Sequence, residues 1–162
     1  DKVQAERDKM VRRTALVPAM IFEFEIDEIV FDEPTFPWCS PASERIFGKT
    51  AEELADARVM VDMIHPRDRC SFVDSVTKSR VNLTMWQWKG RFIVDGVNKV
   101  LRLTSMPVRR GNTDVVRWTG FIQDVTETER LLQVEEHSKI LRGIYETIPG
   151  TILFEIGYHG SG

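Results

Sequence analysis

"FIQDVTETERLLQV", residues 121–134, passes from a strand pattern into a helix pattern with no loop between them. The local chemistry accounts for so abrupt a change. Thr126 followed by Glu129 has capping-box spacing: the Thr126 hydroxyl accepts from the Glu129 backbone N–H, and the Glu129 carboxylate reaches back to the cap. Asp124 and Glu127 place negative charge at the positive end of the helix dipole, worth a few tenths to about 1 kcal/mol each. The last strand therefore hands over rigidly to a helix running from about Glu127 to Tyr145, a rod of about 30 Å at 1.5 Å per residue.

Three strands lead up to this junction. In "MWQWKGRFIV" the side chains of Trp86, Trp88, Phe92 and Val94 share one face, and Asp95-Gly96 is a hairpin turn into "NKVLRLTSMPVR". A second turn at "RRGNTD" opens "VVRWTGFIQD", where Val116, Trp118, Gly120 and Ile122 align. Near the start, Met20, Phe22, Phe24 and Ile26 alternate with Ala19, Ile21, Glu23 and Glu25, the period of a half-buried strand. "FDEPTFPWCSP" carries three prolines, which confine any second strand to a short stretch or an edge.

Residues 42–80 are helical in small pieces. "PASERIFG" ends at Gly48, Thr50 with Glu53 is another capping box, and Pro66 suits a first helical position. Beyond it, Phe72, Val73, Val76 and Arg80 follow helical spacing. Five strands with short helices between the second and third predict an α+β fold: an antiparallel sheet with one face covered, flanked by helices at both ends.

Composition bounds the function. The 162 residues, 42% hydrophobic and 29% charged, suit one ordinary globular domain with a proper core. A net charge of -3 gives no electrostatic footprint for nucleic acid, and no apolar run approaches the length of a membrane span. Cys39 and Cys70 make neither a disulfide framework nor a Cys-x-x-Cys site, as expected of reduced thiols in a cytoplasmic protein. No phosphate loop, nucleophile elbow or zinc-protease motif occurs, and no carboxylate pair singles out an acid and a base, so no catalytic residue is assigned.

The chain also repeats itself. "LVPAMIFEFEI" at 16–26 recurs as "TIPGTILFEIG" at 147–157 with Pro18 and Pro149 in register, and Val3, Met10 and Val17 fall on Val134, Leu141 and Ile148. The expected organisation is a flanking helix over 1–14, a whole module over 15–126, a linker helix over 127–146, and the start of a second module over 147–162. The chain is thus expected to be a piece of a longer protein. Val134, Leu141 and Ile148 repeat every seven residues, with His137 and Ile144 in the intervening positions, a stripe that suits a parallel coiled coil between two copies. The same stripe suits a lone amphipathic helix packed on its own sheet.

Several segments together resemble PAS sensor domains. "WCSPASERIFGKTAEEL" is similar to their "vSpa.erlfGyt.eEl" segment, "MIHPRDR" to "iHPdDr", "RFIVDGVNKVLRL" to the "R...dG..rW" hairpin, and "DVTETER" to the terminal Asp-Ile-Thr motif and its outgoing helix. These cover about residues 15–130 in order, and the segment from Ile148 resembles the opening of a second PAS domain. The resemblance implies a five-stranded sheet curled around small helices, with a pocket between them that Trp88, Phe92, Trp118 and Ile122 would line. It implies a cue passed through the terminal helices, with Asp124 and Thr126 tying the last strand to the outgoing helix and Arg91 as a partner for Asp124. Its tandem form belongs to bacterial signalling proteins, two-component systems among them, whose downstream effectors are histidine kinases or cyclic-dinucleotide enzymes such as diguanylate cyclases.

Departures from the family pattern are visible too. Lys89-Gly90-Arg91 stands where Glu-aromatic-Arg is usual, a glycine that predicts a bulge or close approach of another backbone. Pro34 and Pro37 replace the usual glycine turn of the first hairpin. Both border the expected pocket, so its ligand, if any, stays unknown. Neither cysteine lies in a flavin-reactive motif, and His65, in its His-Pro turn, is expected to cap or hydrogen-bond rather than to hold haem. No metal site is expected. His137 lacks the context of a phosphoacceptor, and His159 lies in a terminal "HGSG". The resemblance implies a small-molecule sensor; the alternative is a ligand-free dimerisation and relay module, and an enzyme fragment is a third. A homodimer through the flanking helices and an effector in the same chain are the partners implied.

Overall fold

The structure, a computed structural model, describes residues 2–13, 19–27 and 33–147. By compactness the chain divides into two units, Asp1–Thr126 and Glu127–Gly162. In the first unit, helix α1 (Lys2–Arg13) precedes strands β1 (Ala19–Asp27) and β2 (Thr35–Cys39). Four short pieces follow: α2 (Ser43–Phe47), α3 (Ala51–Leu54), α4 (Arg58–Met63) and a 3₁₀ turn at Pro66–Asp68. The longer α5 (Arg69–Asn82) then leads into β3 (Trp86–Val94), β4 (Val97–Arg109) and β5 (Val115–Asp124). Helix α6 begins at Thr126 and runs to Thr147. The repeat expected at 147–157 and the heptad residue Ile148 lie outside the described residues.

Among the described residues the five strands form one antiparallel sheet in the order β2-β1-β5-β4-β3. The proline-bearing β2 is an edge, where a missing N–H costs no ladder bond. Alternation decides the faces. Met20, Phe22, Phe24 and Ile26 are buried on β1, and Trp86, Trp88, Phe92 and Val94 on β3. They meet Ile46, Phe47, Leu54, Met60, Ile64, Phe72 and Val76 of the helical layer in one continuous core. Asp95 and Gly96, at φ 49° and 78°, make the β3–β4 turn read from the sequence. The Thr50–Glu53 capping box is present in both directions, at 3.0 and 3.2 Å.

Two glycines mark close approaches. Gly90 sits in an unbroken register, opposite Leu101, so the bulge or approaching backbone expected there is absent. What covers it is the Trp88 indole: a Cβ at Gly90 would lie 2.2 Å from the ring. At Gly120 the neighbour is backbone, and a Cβ would lie 2.0 Å from the Thr104 carbonyl oxygen and 2.5 Å from the Ser105 Cα. The central strand β4 cannot yield as a flexible side chain can. Gly120→Ala is therefore expected to destabilise the module by about 1–3 kcal/mol, read as a lower urea midpoint with an unchanged m-value.

Candidate functional site

The joint between β5 and α6 is built by a residue of the neighbouring strand. Val100 on β4 accepts from the Val125 N–H at 2.9 Å and donates its own N–H to the Thr126 Oγ1 at 2.9 Å. The strand ladder thus continues past the end of β5, with a hydroxyl standing in for a backbone carbonyl. Thr126 in turn donates its hydroxyl to the Asp124 Oδ1 at 2.5 Å, and its N–H to the same oxygen at 3.0 Å. One carboxylate oxygen so satisfies the first free N–H of the helix and fixes the rotamer of the hydroxyl that holds Val100. Val125, between them, is 6% exposed.

The capping detail differs from the sequence reading. Thr126 is the first helical residue, not the cap before it, and its hydroxyl is engaged by Val100 and Asp124. The capping group is the Asp124 carboxylate. Glu129 is itself engaged in an interaction.

Arg91 binds Asp68, not Asp124. Its guanidinium grips both carboxylate oxygens, Nε to Oδ2 at 3.0 Å and Nη2 to Oδ1 at 2.7 Å, and its backbone N–H donates to Oδ2 at 2.8 Å. The Arg91 carbonyl accepts from the His65 N–H at 2.8 Å, while the His65 Nδ1 caps the Arg67 N–H at 3.1 Å, the duty expected of the His-Pro turn. Arg91 nevertheless neighbours the joint, because it stands opposite Val100 on β4. Its own backbone groups point off the sheet edge and those of Val100 point toward β5. The two residues therefore face each other at the closer, non-hydrogen-bonded spacing of an antiparallel pair. The order across the sheet is Asp68, Arg91, Val100, Thr126, Asp124.

The guanidinium of Arg91 holds the Asp68 carboxyl well below the usual carboxylate range, at about 2, against the opposing effect of burial. The folded value is depressed, so this stabilisation is present above the unfolded value of about 3.9 and is lost as pH falls from there through about 2. Asp68 is 19% exposed but Arg91 is 48% exposed, so solvent screens the pair. Asp68→Asn is expected to cost about 1–2 kcal/mol near neutral pH and to flatten the stability profile between about pH 4 and 2, measured by urea unfolding across that range.

The four candidate pocket residues are buried and in contact with their neighbours. Trp118, Phe92 and Ile122 are 0% exposed, and Trp88 touches Phe72 and Phe92 at centroid distances of 5.0 and 5.9 Å. Trp118 meets Phe24 at 5.6 Å and Trp86 at 5.9 Å. Sequence reasoning missed what fastens them. Trp88, Trp86 and Trp118 donate their indole N–H groups to Ser71, Ser75 and Ser79 at 3.0, 2.9 and 2.9 Å. Each serine passes its own proton to a carbonyl, of Asp68, Phe72 and Thr84 respectively. The three serines stand four apart, one turn each, so a single helix face bolts to the sheet through three indoles. The spacing was visible, but serine on a sheet-facing side of a helix carries no hydrophobic signal.

In the second unit, Val134, Leu141 and Ile144 are 61%, 40% and 48% exposed, as are Leu131 and Ile140 at 60% and 54%. Burial pushes the Cys39 thiol up, and Cys70 is exposed. Among the described residues no cluster of His, Cys, Asp and Glu could hold a metal ion, and no helix is long and apolar enough to cross a membrane.

These features define a class: an α+β module with a five-stranded antiparallel sheet, small helices over one face, and a helix leaving the last strand. Its fold is that of PAS domains. The N-terminal domain of a diguanylate cyclase with a PAS/PAC sensor from Marinobacter aquaeolei is 19% identical, with a TM-score of 0.57 over 68% of this chain and 98% of that one. A sensory box histidine kinase/response regulator from Burkholderia thailandensis is 17% identical, with a TM-score of 0.59 over 88% and 99%. The PAS domain of a protein from Colwellia psychrerythraea is 17% identical, with a TM-score of 0.56 over 74% and 97%. No family model matches the sequence, and no curated protein matches it.

Proposed function

We propose that the chain is a sensory-signalling module of the PAS type that relays a conformational signal through the β5–α6 joint. It works as a homodimer held by its flanking helices, in the cytoplasm of a bacterium, where the unpaired thiols Cys39 and Cys70 are at home. The module spans about residues 15–126, the linker helix 127–146, and a second module opens at 147. Its effector is a histidine kinase or a cyclic-di-GMP enzyme in the same protein, in keeping with the names of the proteins that share its fold.

The observation that carries this reading is the bond chain Val100–Thr126–Asp124, which ties the first residue of the outgoing helix into the sheet's hydrogen-bond ladder. Asp124 and Thr126 are the transmitting residues. Arg91 brings in the helical layer through Asp68, and Val134, Leu141, Ile144 and Ile148 supply the dimer stripe. The aromatic cluster bolted to α5 favours relay over ligand sensing, because Trp118, Phe92 and Ile122 are fully buried and Trp118 is fixed by a hydrogen bond to Ser79. A signal then enters as a change in a neighbouring segment and shifts a two-state balance of the module.

Native mass spectrometry of the purified chain tests this reading. The expected result is a dimer without bound small molecule. A stoichiometric ligand would replace relay with sensing, and a ligand-free monomer would remove the dimer.

A further inference from the structure

Over Lys2–Lys9, helix α1 lies against the outer face of the sheet with little apolar surface to hold it. In Lys2–Lys9 the apolar side chains are Val3 and Ala5, and Val3 is 59% exposed. A cavity of about 310 Å³ remains beneath the helix, walled by Val3, Arg7, Ile21, Glu23, Trp38 and Thr119. What holds α1 is charge. The Arg7 guanidinium pairs with Glu23 of β1 and stands 5.1 Å over the Trp38 ring. Glu23 also accepts from Arg117 at 3.2 Å, Arg117 pairs with Glu25, and Arg110 reaches Glu25 at 3.4 Å. Three cations thus alternate with two carboxylates, and Glu23 is the one shared by the helix and the sheet.

We propose that α1 is a detachable strap, latched to the sheet by Glu23 and released by ionic strength while the sheet stays folded. Two physical arguments support it. Packing contributes little over Lys2–Lys9, so the ion pairs decide whether that stretch is docked, and their attraction is screened by salt. Without Glu23, moreover, Arg7 faces Arg117 as a like charge. A free helix of 12 residues is marginal in water, so an undocked α1 melts. Release also bares Ile21, which is 4% exposed with α1 in place. The proposal is argued from contacts within one copy of the chain, Arg7 with Glu23 and Trp38, and does not use the β5–α6 joint.

Amide hydrogen exchange of the whole chain tests it. Going from about 0.05 M to about 1 M NaCl, where the Debye length shrinks to about 3 Å, should speed exchange of residues 2–13 by about tenfold or more. Exchange over 115–124 should change by less than about twofold. Glu23→Gln at low salt should reproduce the acceleration, and so should Arg7→Gln, which leaves the sheet untouched. Glu25→Gln, which keeps the Arg7–Glu23 pair, should behave as wild type. Unchanged α1 protection in high salt and in both Glu23→Gln and Arg7→Gln overturns the proposal. So does equal acceleration in Glu25→Gln, or loss of protection in α1 and β5 together in Arg7→Gln.

Discussion

Trp118→Ala should remove a large part of the module's stability and lower its melting temperature by about 10–30 °C. The side chain is 0% exposed, touches Phe24 and Trp86, and donates its indole N–H to Ser79. Truncation removes the burial of an indole and leaves a cavity that a sheet on one side and α5 on the other cannot collapse. The expected loss is about 3–5 kcal/mol, a large part of the 5–15 kcal/mol that holds a typical domain. Ser79→Ala separates the polar contribution from the packing. The indole stays, but its buried donor loses the acceptor and the Thr84 carbonyl loses a donor, at a cost of about 1–3 kcal/mol. Thermal unfolding followed by tryptophan fluorescence distinguishes the two. A Ser79→Ala protein as stable as wild type would show that the three indole–serine bonds do not fasten α5.

The second large effect is expected on output rather than stability. Asp124→Ala removes the oxygen that receives both the N–H and the hydroxyl of Thr126. Loss of such a cap costs about 1 kcal/mol, which a folded module tolerates. The Thr126 hydroxyl is then free to rotate, and the Val100 N–H loses a fixed acceptor. Effector activity of the full-length protein should cease to respond to its cue, while the melting temperature falls by only a few degrees. Thr126→Ser, which keeps the hydroxyl, should preserve the response. A response unaltered in Asp124→Ala would remove the joint from the signalling path, and an unfolded variant would give Asp124 a purely structural role.

The backbone plan was legible because each of its parts is written locally. Alternation on β1, the Asp95-Gly96 turn, the Thr50–Glu53 box and the absence of a loop before α6 depend on residues within a few positions of one another. The joint was legible in location but not in detail. Thr126 and Asp124 have the spacing of a local cap, but Val100 competes for the hydroxyl because β5 ends at Asp124 and leaves its N–H without a ladder partner. Arg91 shows the same limit. Its true partner, Asp68, is 23 residues upstream and arrives only when the 3₁₀ turn docks on the β3 edge. The serine face of α5 was hidden for another reason: hydroxyls on the face that meets the sheet make a helix look less amphipathic than it is, and only the indoles opposite explain them.

The account stands on the last strand and the first turn of the outgoing helix behaving as one rigid piece. Native-state amide exchange measures this directly at the N–H groups of Val100, Val125 and Thr126. Joined by a shared set of bonds, the three should open together, at one rate, and all should quicken in Asp124→Ala. Rapid exchange at Thr126 beside lasting protection at Val100 in the wild-type protein would mean that the helix frays free of the sheet, and the relay would have no mechanical basis.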